Sequence, residues 1–132
     1  MQLSNKNLDV WKFGLELVDK IYLLTKKFPK EELFGLTNQL RRASVSITSN
    51  LSERLSRSSS LEKCRFLEIA RSSLVEIDTQ LVISVRFKYC SEKELEEIEP
   101  LLNSIFAMIT SLIKKIKKKL KLLLASRLLP LA

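Results

Sequence analysis

The chain has 132 residues and a formal net charge of +8, enough for one domain that buries about two-thirds of its unfolded surface and too few for two. It contains no His and only two Cys, which removes the commonest general base, the usual hydrolase triads and any tetrahedral zinc site built from thiolate and imidazole. Hydrophobic content of 45% beside 29% charged residues, with two Gly and three Pro, describes long amphipathic helices with few breaks for loops.

The first apolar pattern starts after Asn7, the expected N-cap, and predicts a helix over about 8–28. Two rows, Leu8/Trp11/Leu15/Val18/Tyr22 and Val10/Leu17/Ile21/Leu24/Phe28, make one broad core face. Trp11 has two readings, a core residue or a base-stacking aromatic; it continues a core row with no other aromatic beside it, which favours the first. Phe28-Pro29 ends this helix, because the residue before proline is driven out of the α region, and Lys30-Glu31-Glu32 then fits a single turn stopped by Gly35.

Leu36, Leu40, Ala43, Ile47 and Leu51 recur at helical steps and predict a second helix over about 36–54. Ala43, Ser44, Ser46 and Ser49 add little bulk, so a neighbouring helix can approach closely. Arg41 and Arg42 are kept off the core side, as planar forks suited to phosphate or carboxylate. Residues 56–60 are the only low-complexity stretch, and Ser59 with Glu62 has capping-box spacing for a third helix over about 60–89. Its seam of Leu67, Ala70, Leu74, Ile77, Leu81 and Val85 alternates steps of three and four, as in a bundle helix crossing its neighbours at a shallow angle. Glu76 and Gln80 share a face near that seam. The pair reads as structural, meeting Arg41 or Arg42 across the bundle, rather than catalytic, since no second acid-base partner or ligand set accompanies it.

Cys64 and Cys90 sit near opposite ends of this helix, about 39 Å apart at about 1.5 Å per residue, whereas a disulfide needs Cα atoms within about 7 Å. With no disulfide framework, and a polar stretch from Met1 to Asn7 where a signal peptide would stand, a reducing cytoplasm is expected.

Ser91 and Glu94 repeat the capping-box spacing, and Glu92, Glu94, Glu96, Glu97 and Glu99 suit the positive end of a fourth helix, expected over 91–124 with a kink at Pro100. Leu95, Ile98, Leu102, Ile105, Ile109, Leu112, Ile116, Leu120 and Leu123 keep a heptad-like seam. At about 50 Å this helix would outrun the others, so its last turns should overhang the bundle, leaving 125–132 as a tail. Leu122 to Ala125 is far short of the roughly 20 apolar residues of a spanning helix, and no membrane partner is expected.

The segment FPKEELFGLTNQLRRASVSI (Phe28 to Ile47), the Ser49-Asn50 step, FLEIA (Phe66 to Ala70) and Glu76-x-x-x-Gln80-Leu81 resemble the family of proteins encoded in intervening sequences of 23S rRNA genes, over roughly residues 8–116. The resemblance implies an all-α, antiparallel up-down four-helix bundle that forms ring-shaped homopentamers. The same broad family includes an accessory protein of the reverse transcriptase of diversity-generating retroelements, which binds nucleic acid through a basic ring surface. Where such proteins often read I-P-S-N-I-A-E-G, this chain has Ile47-Thr48-Ser49-Asn50-Leu51-Ser52-Glu53-Arg54, and the missing Pro and Gly predict a straighter helix with a stiffer exit.

Charge is uneven along the chain. Residues 1–99 carry 16 Lys+Arg against all 15 Asp+Glu, whereas 100–132 carry seven Lys+Arg and no acid, which suggests a polyanion partner. Two basic groups differ in chemistry. Arg41, Arg42, Arg54, Arg57, Lys63, Arg65 and Arg71 are nearly all Arg, offset only by Glu53, Glu62 and Glu68. They read either as a phosphate-binding edge or as ion pairs within or between subunits. Arg41 and Arg42 lean to structure, and Arg54 and Arg57 to ligand, because a serine-rich turn should be exposed.

Lys114, Lys115, Lys117, Lys118, Lys119 and Lys121 surround an apolar seam as flexible point charges suited to sequence-independent attraction to a phosphate backbone. A passive solvated face is the alternative, though six Lys in eight positions repel one another. A membrane-surface role ranks below both, since the apolar side lacks aromatics. No glycine-rich phosphate loop, nucleophile elbow or metal-ligand spacing is present, so no catalytic residue, metal or cofactor is expected. The expectation is a non-enzymatic nucleic-acid-binding bundle, RNA first, against a rival assembly protein whose charge serves protein contacts.

Overall fold

The computed structural model describes residues 5–128, with side chains for 8–127, and they form four helices: α1 (Asn5–Thr25), α2 (Leu36–Glu53), α3 (Ser60–Arg86) and α4 (Glu99–Leu128). Single 3₁₀ turns at Lys30–Glu32, Arg54–Ser56 and Lys93–Leu95 sit in the three connections. Each helix packs on its sequence neighbours, and α1 also packs on α4, closing a four-helix bundle.

Cross-helix contacts set the antiparallel order. Gln80 Nε2 donates to Gln39 Oε1 at 3.2 Å and Ser73 Oγ donates to Ser46 Oγ at 3.1 Å, so numbers rise on α2 as they fall on α3. Arg71 Nη1 donates to Thr110 Oγ1 at 3.3 Å, and Lys117 pairs with Glu68 at 3.2 Å, giving the same relation between α3 and α4. Lys20 reaches Glu97 at 3.1 Å, tying the upper half of α1 to the approach to α4. On this register Ser60 lies beside Lys121, and everything after Lys121 overhangs the bundle. Leu122, Leu123 and Leu124 are accordingly exposed.

The core rows on α2 and α3 are buried as their spacing requires; Val85 alone of the α3 row is half-buried. On α1 the row from Val10 to Phe28 is the buried one. The companion row flanks it, with Trp11 half-buried and Leu15 and Tyr22 exposed, because a helix in a small bundle turns only one stripe inward. On α4, Ile113 takes the buried place at the level where Leu112 is half-buried. The close approach falls at Gly14, where a Cβ would meet Thr48 Cγ2 at 2.6 Å.

The ends differ from the periodic expectation. Asn7 lies inside the first turn of α1, since that helix begins at Asn5. At its other end α1 stops at Thr25, whose hydroxyl donates back to the Ile21 carbonyl at 2.7 Å. Lys88 adopts φ 62°, so α3 stops at Arg86 and Tyr89 N donates to Ser84 O at 2.9 Å. That reversal is usually made by glycine. Ser91 and Glu94 do form the reciprocal capping box, with Ser91 N donating to Glu94 Oε1 at 3.1 Å and Glu94 N to Ser91 Oγ at 3.3 Å. It caps the single turn Lys93–Leu95, and α4 begins only at Glu99. Pro100 therefore stands in the first turn of α4, where its missing N–H removes no helical bond, and no kink is required. The tail expected from 125 is helical through Leu128; the remainder lies outside the described residues.

Candidate nucleic-acid interface

The antiparallel register places twelve of the thirteen predicted basic residues at two levels of the bundle, with Arg71, bonded to Thr110, between them. Arg54, Arg57, Lys63 and Arg65 lie at the end where α2 leaves and α3 begins, beside the lysines of α4. Through the pairings of α2 with α3 and of α3 with α4, Arg41 and Arg42 are level with residues 103–108 of α4, two to three turns above Lys114, or about 10–15 Å along the axis.

The turn arginines do not stand free. Arg54 is 6% exposed in a turn packed on both α2 and α3, and burial pulls its guanidinium below the usual arginine range. Arg57 Nη2 donates to Glu53 Oε1 at 2.5 Å while its guanidinium lies 5.0 Å from the centre of the Phe66 ring. The turn's serines Ser56, Ser58 and Ser59 are exposed as expected, but Arg54 is turned inward under the start of α3, which corrects its expected exposure, and Arg57 stands half-buried against Phe66. Arg71 is likewise held by Thr110 and the Phe106 ring. Lys63 is half-buried and Arg65 exposed.

The arginine pair on α2 is the freer one. Arg41 Nε donates to Thr25 Oγ1 at 2.9 Å and its guanidinium lies 4.6 Å from the Tyr22 ring centre; no carboxylate pairs with it among the described residues. Arg42 is exposed and no described carboxylate pairs with it either. Glu76 and Gln80 line a neighbouring groove with Arg42, but Gln80 bonds Gln39 rather than either arginine.

On α4, successive residues are about 100° apart, which puts Lys114, Lys118 and Lys121 on one stripe opposite the seam. Lys117 turns toward α3 and pairs with Glu68. Lys115 turns toward α1, lining a groove with Asp9. All six lysines, Lys119 included, are exposed.

Sequence reasoning missed Phe34, which is 90% exposed in the turn before α2, and Thr37, which is 3% exposed with no hydrogen-bond partner for Oγ1. Phe34 had a signal, a large aromatic beside Gly35 with no place in either flanking apolar row. Burial of Thr37 had none.

Both cysteines are free and buried; burial and then the Glu68 carboxylate push the Cys64 thiol up, and burial pushes up Cys90. Among the described residues no cluster of three or more His, Cys, Asp or Glu can hold a metal ion, and no helix is long and apolar enough to cross a membrane.

Residues 6–111 match the family described as 23S rRNA-intervening sequence protein. The chain belongs to this family. A crystal structure of a Bacteroides thetaiotaomicron protein of unknown function from the S23 ribosomal protein family shares the fold, with a TM-score of 0.75 at 24% identity, covering 83% of this chain and 98% of that one. No curated protein matches the sequence. The match ends at residue 111, so the lysine cluster and the overhang of α4 lie beyond the segment that defines the family.

Proposed function

We propose that this 23S rRNA-intervening sequence family member is a non-enzymatic nucleic-acid-binding protein whose ligand is RNA, held by its phosphate backbone along the outer stripe of α4. The observation that carries the reading is the exposed row Lys114, Lys118 and Lys121, on a helix with no acid after Glu99. The family's association with 23S rRNA genes is the ground for preferring RNA among polyanions. Two settings fit it, an rRNA intervening sequence or a retroelement reverse transcriptase, and sequencing the RNA that co-purifies separates them.

The test is the salt dependence of binding to single-stranded RNA. Each phosphate neutralised on a single strand contributes a slope of about −0.7 in log affinity against log salt, so three contacts give about −2 per subunit. Replacing Lys114, Lys118 and Lys121 by Gln removes most of that slope and weakens different sequences by similar factors. Equal slope and affinity in the variant would assign the stripe to a passive face.

A second reading concerns assembly. Val75 and Val82, 54% and 56% exposed, stand one heptad apart on α3, and Phe106 of α4 lies beside Val75 in the groove between the two helices. An apolar strip of this kind supports self-association into a homo-oligomer, the ring implied by the family resemblance. Sedimentation of the wild type and of Val75→Glu with Val82→Glu tests it, a monomer in both sinking the idea.

A further inference from the structure

At the other level of the bundle, α1, the turn before α2 and α2 itself enclose an open groove of ≈ 640 Å³. No acidic residue lines it. Its donors are the guanidinia of Arg41 and Arg42 and the Asn38 amide; Thr37 lines it too, its hydroxyl buried and without a hydrogen-bond partner among the described residues. Phe34 lines the same groove, with no ring contact to another aromatic among the described residues. Arg41 lines the groove while Thr25 and Tyr22 hold it in place, which fixes the plane of its guanidinium.

We infer that this groove takes one unpaired nucleotide, with the base stacked on Phe34 and the phosphate held by Arg41 and Arg42. The inference rests on the RNA-binding reading above and adds a site to it. A nucleotide answers both halves of the groove. Its π-face covers an aromatic left in water, and its non-bridging oxygens accept from planar forks that no carboxylate neutralises. The apolar surface of a second copy would cover Phe34 but strand two guanidinia, an unfavourable burial of unpaired donors. The base must be unpaired, because a paired base keeps its faces inside the stack.

The site lies about 10–15 Å from the near end of the lysine stripe along the axis. One strand can therefore meet both, the stripe attracting the backbone and the groove fixing one base.

The probe is a single-stranded 12-nucleotide oligouridylate with one central 2-aminopurine, whose fluorescence is quenched on stacking, alongside the same strand annealed to its complement. Wild type binds the single strand in preference to the duplex and quenches it. Phe34→Ala loses the quenching and weakens binding roughly tenfold. Phe34→Trp keeps both, and Arg42→Gln weakens binding with a shallower salt slope. The variant lacking the lysine stripe keeps the quenching at low salt.

Unchanged affinity and quenching in Phe34→Ala would overturn the groove and leave the lysine reading standing. No binding of either strand by wild type would overturn both. Sedimentation that shows Phe34→Ala dissociating an oligomer would assign the face to a second copy and overturn the nucleotide. Phe34 is too exposed for its truncation to unfold the bundle, and Arg42→Gln supplies an independent reading of the same groove.

Discussion

Arg41 Nε donates to Thr25 Oγ1 at 2.9 Å, and this bond ties the basic edge of α2 to the last turn of α1. The same hydroxyl donates to the Ile21 carbonyl, so one buried threonine both ends α1 and orients an arginine. Thr25→Val keeps the shape and removes both bonds. It should lower unfolding free energy by about 1 kcal/mol in urea titration, the net worth of a typical internal hydrogen bond. Oligoribonucleotide affinity should fall with it, because the Arg41 fork loses its fixed plane. A variant with unchanged affinity would show that Arg41 is not oriented through Thr25.

Arg54 and Arg57 should separate in stability. The stem of Arg54 is packed in the core of its turn, so Arg54→Ala is expected to cost about 2 kcal/mol through lost packing. Arg57→Ala gives up a surface pair with Glu53 and a stack on Phe66, together about 0.5–1 kcal/mol. Neither change should alter the salt slope of RNA binding. Chemical denaturation and anisotropy read both, and a flattened slope in Arg57→Ala would return the turn to the interface.

Gly14 is required by contact with Thr48. Alanine is the better helix former by about 1 kcal/mol, but a Cβ at 2.6 Å from Thr48 Cγ2 forces the two helices apart. Gly14→Ala should therefore destabilise by about 1–3 kcal/mol, as overpacking does. Adding Thr48→Ser removes the clashing methyl and should restore most of the loss, a coupling that a double-mutant cycle measures. Additive effects would place the strain elsewhere.

Lys88 carries the left-handed turn that ends α3, at φ 62°. A side chain in that region costs about 1 kcal/mol relative to glycine. Lys88→Gly should raise the melting temperature by a few degrees in calorimetry. A fall would mean that the Lys88 side chain contributes more than its backbone strain costs.

Much of the fold was legible in the chain. The α2 row from Leu36 to Leu51 and the α3 row from Leu67 to Leu81 are buried as their spacing required, because helical periodicity is a property of consecutive residues and needs no knowledge of partners. The six lysines of α4 were legible as a cluster around an apolar seam, but their division into an outer row of Lys114, Lys118 and Lys121 and a Lys117 paired with Glu68 came from the packing. The overhang followed from length alone.

The tertiary structure decided which charges are committed. Arg54 looked free because serines surround it, yet packing buries it, and Arg42 looked structural because it sits on a core helix, yet it is exposed and pairs with no described carboxylate; Arg41 is held by Thr25 and Tyr22. The same holds for Ser91 and Glu94, whose capping box closes a single turn instead of opening α4, and for Thr37, whose buried hydroxyl left no trace in the pattern. A periodic row is fixed by the geometry of one helix. Whether a guanidinium is buried, paired or open to a ligand depends on groups that only the packing of separate helices brings within reach.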